Sequence, residues 1–231
     1  MLLKRKEFLP CNTMGKIVSL AETRKAAGAD QRPATVLSLY APSGTAGAGR
    51  KYLNGDERRR VLAAANTVAT RAALFALTLA WTGARISEVL ALTPRSFQIE
   101  QSLVAIVTLK RRGWFVREVP LPPDLMQQLA HEFSIQLTQQ DREQGDARLW
   151  PMSRVTAWRH IKRVMDVAGV SGRSACPRGL RHAFGVGTMQ AGVPITLLQK
   201  WMGHARLSST GIYAAVAGPE EFAMAKKFWD N

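Results

Sequence analysis

Apolar residues recur at helical spacing along most of the chain, and the pattern becomes sustained only after residue 50. Asn54 or Asp56 can cap a helix beginning near Glu57, with its acids at the end that the helix dipole favours for them. Arg71–Ala80 is apolar on nearly every side, as a buried helix is, and Thr82-Gly83 stops it. A shorter helix is predicted over Arg85–Leu92, ended by Pro94. Then the period drops to two. Leu103–Leu109 is aliphatic and β-branched, Lys110-Arg111-Arg112-Gly113 supplies a turn, and Trp114–Leu121 alternates, which predicts an antiparallel hairpin with a basic tip. Helical spacing returns over Leu125 to about Gln136, and a polar loop follows. Ser153 caps a helix from Arg154 to about Ala168, which Gly169 terminates. Shorter helices are predicted over Leu180–Gln190, Pro194–Met202 and Thr210–Val216, and a last one follows Pro219. The fold class is mainly α with a small antiparallel β-sheet.

Before residue 50 the pattern is different. Met1–Tyr40 shows no sustained period, and Ala41–Gly49 is a tract of small residues with the composition of a flexible linker. The chain therefore divides into a short N-terminal segment with linker, 1–50, and a principal domain, 51–231. At 46% hydrophobic and 21% charged, its 231 residues can bury a substantial core.

Charge narrows the function. Lys and Arg number 32 against 17 acids, a net +15 that suits a polyanionic partner. Residues 151–231 are the most basic part, with eleven basic and four acidic side chains. The longest nearly apolar run, Ala72–Trp81, is about half a bilayer span, so no membrane association is expected. Cys11 and Cys176 lack metal or framework spacing and are expected as free thiols in a reducing cytoplasm; an acidic-substrate enzyme, a nucleic-acid binder and a ribosome-associated protein all stay open on composition. The sequence has no phosphate loop, no zinc spacing among His131, His160, His182 and His204, and no serine elbow. No cofactor or metal is expected.

What stands out is a set of arginines where solvated charges are unusual. Arg85 follows Trp81-Thr82-Gly83-Ala84 with Glu88 one turn on, which by itself also suits a structural ion pair. Arg181 and His182 sit in Arg178-Gly179-Leu180-Arg181-His182, where a partly buried arginine on backbone carbonyls is the plainer reading. Gly203-His204 ends a helix, and Tyr213 lies nine residues later, a position more often core or interface than nucleophile.

Taken in order, these segments resemble the tyrosine recombinase (phage integrase) family over residues 51–231. Its pattern runs Thr-Gly-x-Arg-x-x-Glu, a hairpin lysine, His-x-Leu-Arg-His, Leu-Gly-His, then a tyrosine. The matching residues are Thr82-Gly83-Ala84-Arg85-Ile86-Ser87-Glu88, Lys110, Gly179-Leu180-Arg181-His182, Met202-Gly203-His204 and Tyr213. The resemblance implies the family's catalytic-domain architecture, with Tyr213 attacking a DNA phosphodiester. Arg85, Arg181 and His204 would donate to its non-bridging oxygens. Lys110 would protonate the departing 5′ oxygen, His182 would assist by hydrogen bonding, and Glu88 would orient Arg85. The activity implied is site-specific strand exchange through a 3′-phosphotyrosyl link and a Holliday junction. The partners implied are double-stranded DNA, a homotetramer on two sites formed from monomers in free solution, and an accessory DNA-bending protein. Rival readings are a type IB topoisomerase and a catalytically silent DNA-binding relative.

Two departures from the pattern matter. Arg178 stands where the first histidine of His-x-x-Arg belongs, and an arginine cannot accept a proton there. Only about fifty residues precede the matched region, too few for the family's usual DNA-clamping domain, which is expected to be reduced or absent. DNA contacts are expected from Arg159, Lys162 and Arg163, with Trp158, Ile161 and Met165 on another face of the same helix. Arg111, Arg112 and Arg117 around the hairpin are expected to add backbone contacts. Phe222, Met224, Phe228 and Trp229 after Pro219 are expected either to pack on their own domain or to dock on a neighbouring protomer.

Overall fold

A computed structural model of the chain describes residues 39–41, 49–108 and 115–214, together with 222, 225, 226, 228 and 229. Tyr40–Ala41 (β1) and Gly49–Arg50 (β2) pair antiparallel, Tyr40 opposite Arg50 and Ala41 opposite Gly49. Leu39 and Tyr52, on either side of this pair, are buried. The compact unit they belong to runs Leu37–Asn231, which brings residues before 51 into the principal domain.

Helix α1 (Gly55–Ala65) starts where its cap chemistry places it. Asn54 Oδ1 accepts from the Glu57 amide and Glu57 Oε2 accepts from the Asn54 amide, each at 2.8 Å, a reciprocal capping box. Helix α2 (Thr70–Thr82) is buried from Ala73 to Ala80 and forms the central rod of the core. Gly83, with φ of 59°, turns the chain out of it in the left-handed region. A Cβ there would also run into the Phe184 ring, so this position favours glycine twice.

Helix α3 is only Ile86–Val89, shorter than the predicted span to Leu92 because the Ala91 and Leu92 amides bond three residues back, to Glu88 and Val89, and so leave the α-helical ladder before the 3₁₀ turn Pro94–Ser96. Strand β3 (Phe97–Gln98), not foreseen in the sequence, pairs antiparallel with β4 (Leu103–Val107), which pairs with β5 (Val116–Pro120). The hairpin register sets Leu103 opposite Pro120 and Val107 opposite Val116. Its tip, 109–114, holds Lys110, Arg111 and Arg112 and lies outside the described residues.

Helix α4 (Pro123–Glu132) is followed by a break at Ser134, whose φ is 47°. Two short helices, α5 (Ile135–Thr138) and α6 (Arg142–Asp146), occupy the stretch predicted as the end of one helix and a polar loop. Helix α7 (Arg154–Val167) is capped by Ser153, whose Oγ accepts from the Thr156 amide at 3.1 Å. Helix α8 (Pro177–Gln190) begins at a proline in the first helical position, three residues earlier than predicted. Helix α9 (Ile195–Met202) ends on Gly203, with φ of 63°, and α10 (Ser208–Gly211) leads to Tyr213.

The core is built on α2, which packs against α1, α4, α7 and α8. A second apolar cluster gathers Leu39, Tyr52, Phe184, Val186, Leu198, Met202 and Tyr213. It fixes α8, α9 and the tyrosine against one another. Among the described residues, no helix is long and apolar enough to cross a membrane. Cys176 is a free thiol.

Candidate active site

Helix ends build the site. The last carbonyls of a helix have no partner within it and carry the negative end of its dipole. Two such ends converge on Arg181. Its Nη1 donates to the Gly83 carbonyl after α2, and its Nη2 donates to the Met202 carbonyl of α9 at 2.8 Å. The guanidinium is nearly buried, and burial together with the charge of Arg85 lowers its pKa to about 10, so it stays charged at neutral pH.

Arg85 lies at the start of α3 with about a quarter of its side chain open to solvent. Glu88 holds it twice, accepting from the Arg85 amide at 2.9 Å and from its Nη1 at 2.7 Å. Glu88 itself is buried. Burial alone would raise its pKa, but the charge of Arg117 and the hydrogen bonds from Arg117 and Arg85 outweigh that and lower it. It is a carboxylate fixed between two guanidiniums.

Arg117 is where the structure departs most from the sequence reading. Instead of reaching outward to DNA, it is among the most buried side chains of the protein. Its Nη2 meets Glu88 Oε2, its Nη1 meets Thr108 Oγ1 and its Nε meets the Trp201 carbonyl, each at 2.7 Å. The signal was present in β5: Arg117 alternates in phase with Val119 and Leu121, all three inward. A Cβ on Gly203 would come within 2.9 Å of Arg117 Nη1 and Thr108 Oγ1, so the glycine before His204 makes room for this network.

His204 follows the end of α9. Its Nε2 is 3.0 Å from Arg181 Nη2 and its Nδ1 is 2.9 Å from Thr210 Oγ1. A guanidinium can only donate, so Nε2 accepts and the ring hydrogen sits on Nδ1. His204 thus accepts from Arg181 and donates to Thr210. Burial, then the charges of Arg181 and Arg85, lower its pKa to about 4.

Tyr213 is buried, and burial raises its pKa to about 12 against the opposing pull of Arg181 and Arg85. Its hydroxyl is 3.0 Å from His182 Nδ1. The ring rests over Gly185 of α8, where a Cβ would lie 2.5–2.7 Å from three ring carbons. His182 is held neutral in turn, with a pKa near 4 set by burial and by Arg181, Arg178 and Lys51.

One cleft of about 560 Å³ brings these groups together. Arg85, Arg178, Arg181, His182, His204 and Tyr213 all line it, and so does Arg154 at the start of α7, which sequence reasoning did not single out. Glu88 does not line the cleft and reaches it through Arg85, which it holds from behind. On α7, Arg159 and Arg163 are exposed, whereas Lys162 turns back to the Ala175 carbonyl at 3.2 Å. Ile161 and Met165 are buried, but Trp158 lies at the edge of that stripe and is 46% exposed. No group of three or more His, Cys, Asp or Glu among the described residues is arranged to hold a metal. The cleft offers fixed positive charge and, beside the Ser87 and Ser209 hydroxyls, the Tyr213 phenol, a set suited to a phosphate oxyanion and its displacement.

Comparison with known proteins gives a consistent picture. Residues 51–219 match the phage integrase family. The tyrosine recombinase XerA of Thermococcus onnurineus (strain NA1) is 31% identical over 172 residues, covering 72% of this chain but only 58% of that relative. Among solved structures, the XerH site-specific recombinase bound to its difH substrate before cleavage superposes with a TM-score of 0.62 at 22% identity, over 78% of this chain and 54% of that one. The catalytic domain of bacteriophage HP1 integrase gives a TM-score of 0.55 at 23% identity, over 77% of this chain and 94% of that one.

Proposed function

This chain belongs to the phage integrase family, and on that premise we propose that it is a site-specific DNA recombinase. It cleaves and rejoins strands through a 3′-phosphotyrosyl intermediate and a Holliday junction. The observation that carries this reading is the convergence of Arg85, Arg181, His204 and the Tyr213 hydroxyl on one cleft within a single chain. Arg85 and Arg181 neutralise the non-bridging oxygens of the scissile phosphate as five-coordinate phosphorus forms. A preorganised donor of this kind is worth about 2.7–4 kcal/mol of barrier. The phosphate displaces His204 from Arg181, and the imidazole donates to it as the other tautomer, with the ring hydrogen on Nε2 and Nδ1 accepting from the Thr210 hydroxyl. Lys110, on the hairpin tip, protonates the 5′ oxygen as it leaves.

Double-stranded DNA is the substrate, with Arg159, Arg163 and the arginines of the hairpin tip, Arg111 and Arg112, on its backbone. Four copies on two sites complete the exchange, with an accessory DNA-bending protein as a further partner. The test is a nicked duplex whose cleaved end diffuses away, carrying a site selected from random DNA by binding. Wild type should form an adduct stable to denaturant, and Tyr213→Phe should bind and form none. An adduct that persists in Tyr213→Phe overturns the assignment. Two marked sites then distinguish outcomes: recombinant products support strand exchange, whereas relaxation of supercoils alone identifies a topoisomerase.

A further inference from the structure

The chemistry above leaves one proton without a destination. Tyr213 must lose its hydroxyl hydrogen as it attacks, and the position to which the family's pattern assigns a histidine for this role is Arg178. A guanidinium holds its proton far above neutral pH and cannot take another. The other groups around the nucleophile are committed. Both ring nitrogens of His204 are engaged, by Arg181 and Thr210, and both Glu88 oxygens are held by Arg85 and Arg117.

We propose that His182 is the general base of this enzyme, taking the proton of Tyr213 through the 3.0 Å contact between Nδ1 and the phenol oxygen. The assignment rests on the recombinase reading. The imidazole is held neutral in the free protein, so a lone pair is available on Nδ1 when the ring hydrogen sits on Nε2. As the bond from Tyr213 Oη to phosphorus forms, its hydrogen passes to His182 Nδ1. The bond from phosphorus to the 5′ oxygen breaks, and that oxygen takes a separate proton from Lys110. Rejoining reverses both transfers: the attacking 5′ hydroxyl returns its proton to Lys110, and His182 returns its own to the departing phenolate.

The surroundings make this base conditional on substrate. Lys51 before α1, Arg178 and Arg181 on α8, His204 after α9 and Tyr213 after α10 face or flank His182. Three of these are permanent cations that oppose a proton on the ring. A phosphodiester seated against Arg181 and Arg178 cancels part of that opposition, so the imidazole gains basicity when the scissile phosphate is in place. Without DNA, the tyrosine stays protonated and unreactive.

The experiment compares wild type, His182→Asn, His182→Ala and Lys110→Ala on the nicked duplex and on the same duplex with sulfur replacing the bridging 5′ oxygen. A sulfur leaving group needs no acid. General-base catalysis is typically worth about 10²–10⁴-fold, so both His182 variants should cleave slower by that range with unchanged DNA affinity and thermal midpoint. Their rate should rise with hydroxide concentration, and added imidazole should restore His182→Ala. The sulfur substrate should rescue Lys110→Ala and leave the His182 variants slow. Cleavage within about threefold of wild type, or rescue of His182 variants by sulfur, overturns the assignment. Failure of wild type itself to form an adduct overturns the recombinase reading, and this inference with it.

Discussion

Glu88 Oε2 stands 2.7 Å from the Arg117 guanidinium, and neither side chain exposes any surface to solvent. The other Glu88 oxygen grips Arg85, so the position of a cleft-lining guanidinium depends on an arginine that never reaches the cleft. Breaking a buried pair by removing one partner costs about 3–5 kcal/mol, because the survivor is left charged without compensation. Arg117→Met and Glu88→Gln should each lower stability by that order in denaturant titrations. The double variant should lose less than the sum of the two. DNA cleavage should stay low in all three, since Arg85 has lost its anchor in the double variant as well. Recovery of cleavage together with stability would show that the pair serves the fold alone.

Gly185 offers a test of how closely the nucleophile is seated. Alanine favours a helix over glycine by about 1 kcal/mol, so α8 itself gains from Gly185→Ala. The added carbon would lie 2.5–2.7 Å from the Tyr213 ring and must push it aside. A displacement on the order of 1 Å can cost roughly 10²-fold in rate. Adduct formation should therefore fall by about that factor while gel-shift affinity for the same DNA holds. Unchanged cleavage would mean that the ring has slack.

The difference between Arg117 and the other site arginines shows what the sequence made legible. Arg85, Arg181, His204 and Tyr213 were legible as a group because they fall in order at the spacings of the family's motifs, and the structure brings all four to one cleft. Arg117 sits beside a basic turn and read as one more surface charge. Only the inward phase it shares with Val119 distinguishes it. The long helices were equally plain, since Asn54, Ser153, Gly83 and Gly203 punctuate them. Strand β3 was not, because two residues carry no period. The break after α4 was hidden too, as Ser134 takes a positive φ that its side chain does not advertise.

The two cleft imidazoles predict how stability follows pH. Both His182 and His204 titrate near 4 in the folded protein, lowered first by burial and then by neighbouring arginines, against about 6.5 in an unfolded chain. Between those values the unfolded state binds more protons than the folded one. Stability is therefore fully present above about 6.5 and is lost as pH falls toward 4. Thermal midpoints measured across this window should drop on acidification, and less steeply in His182→Asn. An identical pH dependence in wild type and His182→Asn would refute the contribution of His182.

Arg178, exposed at the α8 end of the cleft, can donate to a phosphate but cannot serve as a base. Arg178→Lys keeps a charge there and should retain measurable cleavage. Arg178→Ala should lose most of it, on the order of the 10²–10³-fold seen for a lost oxyanion donor. With His182 already supplying the base, Arg178→His should not exceed wild type. A much faster Arg178→His enzyme would mean that the natural arginine is a handicap and that the protein is a weak or regulatory member of its family.

The end of the chain bears on assembly. Phe222 and Trp229 meet edge to face at 5.5 Å, yet Phe222, Phe228 and Trp229 are each more than 60% exposed. Three large apolar side chains left open on one short stretch are unusual in a solvated segment. Fully burying a Phe-sized side chain contributes about 1.5–3 kcal/mol, so these aromatics can hold a contact once DNA raises the local concentration of protomers. If the proposed tetramer forms, the expected partner is a neighbouring protomer. Deleting residues 220–231 should leave single-site DNA binding and the thermal midpoint nearly unchanged, because these aromatics add little to their own core. Synapsis of two sites and formation of recombinant products should be lost. Substituting Phe228 and Trp229 by alanine should reproduce the defect without shortening the chain. A truncated protein that is insoluble or melts far below wild type would instead assign the segment to its own domain, and the protomer contact would have to be sought elsewhere.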